Sequence, residues 1–170
     1  SFDDAYAQTA LEGMDTNGDG QYSAEELRAL TDENISSLRD YDYFIHIKRD
    51  GKLQPVPDVT GTNQTYVNNL LTLYFTVPLP KPVDPRVEQF ELKVFDPEFY
   101  IAFDYASDNP ATLKGQVPPG CALKLNPLPT SSELEQTRTM LQGKGKDWKP
   151  DPNEEFGSMF AQGLLVTCAQ

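Results

Sequence analysis

The chain has 170 residues, a net charge of −12 and a hydrophobic content of 38%. That length suits one domain, or one domain with a small appendage, and is enough to bury a core without many crosslinks. The acidic balance argues against nucleic acid as a partner, because phosphate contacts need clustered Lys and Arg; no apolar run reaches the ~18 residues of a membrane-spanning helix.

Taken in order, residues 2–14 predict a short helix, with Phe2, Tyr6, Ala10 and Met14 at helical spacing. Residues 15–26 form a polar, glycine-containing loop. A second helix is predicted from about Ala24 to Leu38, with Leu27, Leu30, Ile35 and Leu38 on one side. The period then changes to two. Tyr43, Ile45 and Ile47 alternate with Phe44, His46 and Lys48, and Asp50-Gly51 reads as a tight hairpin turn. Residues 56–64 read as a loop or weak edge strand. Leu71, Leu73, Phe75 and Val77 mark the next strand, and Pro78, Pro80, Pro82 and Pro85 an extended connector. Phe90, Leu92 and Val94 form one further inward set, and Phe99, Ile101, Phe103 and Tyr105 another. After the Pro118-Pro119-Gly120 turn comes a strand at Cys121. A helix is predicted over 131–142, capped by Ser131 or Ser132, with Leu134, Thr137, Met140 and Leu141 on its face. A loop around Trp148, a short helix from Glu154 to Gln162 and a closing strand Leu164–Cys168 complete the chain. The expected class is α+β. An N-terminal EF-hand helical hairpin (1–40) would pack on a mainly antiparallel β-sandwich (41–170) with one or two short C-terminal helices, as one compact unit.

The loop carries the sharpest chemistry. Residues 15–26 match the twelve-position EF-hand pattern at every coordinating place. Asp15, Asn17 and Asp19 take positions 1, 3 and 5, and Gly20 the sharp turn at position 6. Gln21 would offer its backbone carbonyl, Ser23 its hydroxyl or a bridging water, and Glu26 a bidentate carboxylate. Tyr22 replaces the usual aliphatic residue at position 8. An all-oxygen set suits Ca²⁺, a trivalent lanthanide fits the same cage, and Mg²⁺ prefers stricter octahedral geometry. No second EF-hand is visible. A lone hand favours a fixed site over a calmodulin-like switch.

Other chemistry is sparse. His46 is the single histidine, so an imidazole-built transition-metal site is not available within the chain; it reads as an exposed strand residue. Asp96, Glu98 and Asp104 could converge at a sheet end but read as solvated charges. No nucleophile–base pair or glycine-rich phosphate loop stands out, and the chain reads as a non-enzyme. Asn34-Ile35-Ser36 and Asn63-Gln64-Thr65 match the glycosylation sequon, too short a pattern to carry meaning alone. Cys121 shares parity with Leu123 and Leu125, and Cys168 with Leu164 and Val166. Both thiols should point inward, where neighbouring strands could join them; two buried free cysteines are the other reading. A bridge would place the protein in an oxidising compartment.

The chain also resembles a bacterial family of unknown function, commonly described as the periplasmic component of an uncharacterised ABC-type transport system. The likeness rests on Ser1-Phe2-Asp3-Asp4 leading into the EF-hand-like loop, Tyr41-Asp42-Tyr43-Phe44 with Asp50-Gly51-Lys52, and Val83-Asp84-Pro85-Arg86. Phe95-Asp96-Pro97-Glu98-Phe99-Tyr100, Gly120-Cys121 and Val166-Thr167-Cys168 complete it. The resemblance implies export to the periplasm, a Cys121–Cys168 bridge and a link to metal-ion transport. Family members begin with a His-Pro-His-containing strand, and Ser1 starts beyond it, so a histidine-dependent metal role gains no support. Two functions follow as expectations. One is a periplasmic accessory that binds Ca²⁺ or a similar hard cation and works with a membrane transporter or another periplasmic protein, without inserting in the membrane. The other is a Ca²⁺-stabilised interaction module with no transport role.

Overall fold

The computed structural model describes residues 1–98, 100–143 and 156–169. Its contacts divide the chain into two units, one of Ser1–Tyr43 with Val56–Pro82 and one of Phe44–Pro55 with Val83–Gln170. The class is mixed α and β, and among the described residues all strand pairs are antiparallel. The strands form two sheets, a two-stranded ribbon in the first unit and a five-stranded sheet in the second. No helix among the described residues is long and apolar enough to cross a membrane.

In the first unit, α1 spans Asp4–Ala10, shorter than the predicted 2–14. Asp3 caps it, accepting the Tyr6 N–H at 2.9 Å. Helix α2 spans Arg28–Arg39; residues 24–27, expected as its first turn, form a separate turn. The ribbon is β3 (Thr60–Val67) and β4 (Leu70–Thr76). Asn68 and Asn69, at φ 52° and 61°, make its two-residue turn, which favours left-handed residues. Residues 60–67 therefore form a full strand, where 56–64 were expected as a loop or weak edge strand. Only Gln64 of β3 is fully buried, so the alternation that announces a strand is missing from its polar sequence.

The core of this unit gathers Ala7 and Leu11, Leu27 and Leu30, and Leu71 of β4, with Phe2, Met14, Tyr22 and Tyr66 packed around them. Leu27 and Leu71 are 0% exposed. Each contributes about 1.5–3 kcal/mol by burial. Polar ties reinforce the packing. The Phe2 N–H donates to the Leu71 carbonyl at 2.9 Å, and Gln64 lies 3.4 Å from both Thr31 and Asn34.

In the second unit the sheet order is β2-β1-β5-β7-β6, built from β1 (Ile45–Arg49), β2 (Lys52–Gln54), β5 (Phe90–Val94), β6 (Cys121–Leu125) and β7 (Gly163–Cys168). Asp50 and Gly51, at φ 48° and 73°, close the β1–β2 hairpin as the sequence indicates. Register aligns Ile47, Leu92, Leu164 and Leu125 in one apolar row across four strands. Arg49 forms a bidentate, largely buried pair with Glu88 (2.7–2.9 Å) beside the hairpin.

The strand predicted from Phe99 to Tyr105 does not form among residues 100–120. The buried Asp96 carboxylate accepts the N–H groups of Glu98, Tyr100 and Ile101 at 2.8–3.0 Å and winds the backbone into a turn instead. Helix α3 covers Ser131–Gln142 as predicted, but Thr130 caps it, not Ser131 or Ser132. Thr130 and Glu133 exchange bonds as a capping box. Of the predicted 154–162 helix, Phe156–Met159 forms a short 3-10 turn. The Trp148 loop, residues 154–155 and the side chains of Leu134, Thr137 and Leu141 lie outside the described residues.

Cys121 and Cys168 face each other across β6 and β7 and form a disulfide, with S–S 2.06 Å. The bridge spans 47 residues. On the chain-entropy account this contributes about 4 kcal/mol. Replacing both cysteines by serine should therefore lower unfolding stability by up to about 4 kcal/mol, read from urea unfolding with midpoint and m-value fitted for each protein, since the uncrosslinked chain expands on unfolding. An unchanged midpoint would contradict it.

Candidate functional site

The 15–26 loop lies between α1 and α2 in the first unit. Charge concentrates there. Twelve acidic and three basic residues fall in that unit, leaving it a net −9 of the chain's −12. A surface of one sign raises the local concentration of cations.

The loop's backbone trace follows from two glycines. Gly18 and Gly20 stand at φ 73° and 75°, in the left-handed region where a side chain is strained. With the chain turned so sharply, its amides point inward and the carboxylates receive them. Asp15 Oδ1 accepts the N–H groups of Gly18 (2.8 Å) and Asp19 (3.2 Å), and its Oδ2 accepts that of Gly20 (2.9 Å). Asn17 Oδ1 accepts the Asp19 N–H (2.8 Å), and Asp19 Oδ1 that of Gln21 (2.7 Å).

Glu26 ties the end of the loop to its beginning. Its Oε1 accepts from the Thr16 N–H (2.9 Å) and hydroxyl (3.0 Å), and its Oε2 from the Ser23 N–H (2.9 Å) and hydroxyl (2.8 Å). The Glu26 N–H returns a bond to Ser23 Oγ at 3.3 Å. Ser23-Ala24-Glu25-Glu26 is thus a capping box for the turn that leads into α2. Thr16 is the partner that the ligand pattern does not single out, since position 2 carries no ligand.

All six pattern residues, Asp15, Asn17, Asp19, Gln21, Ser23 and Glu26, therefore lie in one hydrogen-bonded loop. Among the described residues, however, no group of three or more His, Cys, Asp or Glu side chains is close enough together to hold a metal ion. The donor chemistry fits a hard cation: it is all oxygen and anionic, with Asp15 and Glu26 half-buried and the others exposed. The carboxylate placement does not yet close a cage. Glu26 spends its oxygens on Thr16 and Ser23, and to ligate an ion it would turn its remaining lone pairs, or itself, toward Asp15 and Asp19.

The other sequence candidates resolve differently. Asp96 is a turn cap, and Glu98 and Asp104 are exposed. His46, expected as an exposed strand residue, is half-buried and stacked on Phe95 at 3.8 Å, with Nε2 3.2 Å from the Phe95 carbonyl. Lys93 joins Ser158, its ammonium 2.9 Å from Oγ and 3.0 Å from the carbonyl, which pins the 3-10 turn to β5.

The Ser23 and Thr16 donors hold the Glu26 carboxyl down from the ordinary 4.5 to about 2, the Ser23 N–H first, then the Ser23 and Thr16 hydroxyls. The folded state therefore binds this proton less readily than the unfolded one. The contribution is fully present above pH 4.5 and disappears as pH falls through about 2. A side-chain carbon NMR titration should show Glu26 ionised well below its unfolded range; a midpoint near 4.5 would contradict the loop geometry.

Comparison with known proteins agrees with one family over the whole chain. Residues 1–168 match the model described as "Protein of unknown function (DUF1007)". A Haemophilus influenzae "Uncharacterized protein" is 27% identical over 148 residues, covering 85% of this chain and 68% of the relative. A Spirochaeta aurantia "Uncharacterized 15.5 kDa protein in trpE 3'region" is 27% identical over 100 residues, covering 59% and 71% respectively. No solved structure matches. The chain belongs to the DUF1007 family of proteins of unknown function.

Proposed function

We propose that the 15–26 loop binds a hard cation, Ca²⁺ or a lanthanide ion, and that the protein is a periplasmic cation-binding accessory of metal-ion transport. The observation that carries this reading is a loop with every EF-hand ligand position filled and left-handed glycines at its turns. The charge of −9 on its unit supports it. Asp15, Asn17, Asp19, Ser23 and Glu26 would supply side-chain oxygens and Gln21 its carbonyl. The disulfide is compatible with an oxidising compartment such as the periplasm. The link to transport comes from the family resemblance alone.

One observation favours the second reading, a cation that only stabilises an interaction module. Leu11, just past α1, and Leu27 and Leu30 at the start of α2 share one core with Leu71 of β4. A helix pair held in this way suits a fixed site better than a switch that opens.

Calorimetric titration with CaCl₂ and TbCl₃ tests the reading. The wild-type protein should bind one ion per chain, and Glu26→Gln should weaken binding about tenfold or more by removing a charged bidentate ligand. At a hundredfold excess over Kd, bound ion should add about 2.7 kcal/mol of stability to the wild type and less to the variant. Identical isotherms for the two proteins would overturn the site. Release of the bound ion to a membrane fraction from the native host would favour the accessory role, and retention with a raised melting temperature the module.

A further inference from the structure

We propose that the β3–β4 ribbon is the partner surface of the cation loop, with Tyr22 and Tyr66 as the positioning residues that couple ion binding to the ribbon. The proposal rests on the cation reading above and adds what the loop leans on.

Tyr22 sits between Gln21 and Ser23, two of the six pattern positions. Its ring meets that of Tyr66 edge to face, with centroids 5.4 Å apart and planes at 87°. Both rings are half-buried, and both pack on the cluster of Ala7, Leu11, Leu27, Leu30 and Leu71. Tyr66 stands opposite Leu71 in the ribbon register, and its hydroxyl lies 3.4 Å from Asn69 Oδ1 in the ribbon's turn. A continuous chain of packed side chains thus runs from the middle of the loop to the tip of the ribbon. It explains the aromatic residue at position 8, where the motif ordinarily carries an aliphatic one.

The physical consequence is pre-organisation. A loop whose second half is held by Tyr66 loses less freedom when it closes on an ion. Linkage makes the effect mutual, so an ion that needs Tyr22 in place steadies the ribbon by the same factor. The ribbon thereby does for a lone hand what a second hand does in a pair.

The test is a CaCl₂ titration followed by amide NMR, with tyrosine-sensitised Tb³⁺ luminescence as the second probe, on wild type, Tyr66→Phe, Tyr66→Leu and Tyr66→Ala. The amides of Gly20 in the loop and of Asn68 and Asn69 in the turn should shift with one midpoint. Tyr66→Ala should weaken Ca²⁺ binding about two- to tenfold, the range of an aromatic pair, and Tyr66→Phe should retain wild-type affinity. If Tyr66→Ala fails to fold, Tyr66→Leu keeps apolar bulk over Leu71 and carries the same comparison. Gly20 shifting while Asn68 and Asn69 stay still, with wild-type affinity in the alanine or leucine variant, would overturn the coupling and leave the cation reading standing. A wild-type Gly20 amide that ignores Ca²⁺ would overturn the cation reading and the coupling with it.

Discussion

Leu71 is the contact on which the first unit depends. Its side chain is completely buried among Ala7, Leu11, Leu27 and Leu30, and its carbonyl accepts the Phe2 N–H. Two helices of 7 and 12 residues have little stability of their own, because nucleating a helix is costly and short helices seldom recover that cost in water. The ribbon is equally weak alone. Each becomes stable by burying its apolar side on the other, and Leu71 is where those sides meet. The loop between the helices inherits its position from that packing.

The same constraint explains the loop's internal economy. Its carboxylates would repel one another if they faced solvent without partners, and glycine turns at positions 18 and 20 bring backbone N–H groups to them instead. Glu26 is held by five donors, two from Thr16, two from Ser23 and the Asn17 N–H. A cation bound there as proposed would draw on the same carboxylate lone pairs as the loop's own amides. Affinity at such a site depends on how much of the amide bonding survives ligation, and a pattern of ligand types does not give that quantity.

The second unit is organised by strand register and by one covalent link. Apolar residues at alternate positions align across β1, β5, β7 and β6, and the disulfide joins directly opposed residues of the last two strands. Around this sheet, buried polar groups serve structure. Asp96 caps a turn, Arg49 pairs with Glu88 and Lys93 holds Ser158.

What the sequence determined by itself was local. The period of two at Ile45 and Ile47, the Asp50-Gly51 turn, the parity of Cys121 and Cys168 and the twelve-position loop all arise from neighbours in the chain, so they were readable without a fold. The Asn68-Asn69 turn was equally local, and its asparagines were the signal that would have revealed the ribbon. Tertiary structure decided the rest. Thr60–Val67 is a strand because β4 pairs with it, although its polar residues conceal the alternation. The chain from 100 to 120 is not a strand because a buried carboxylate takes its first amides. The ribbon sides with the helices, and Tyr22 finds Tyr66, because apolar surface is buried wherever long-range packing allows. That partner is set by shape and distance in space, which spacing along a chain does not encode.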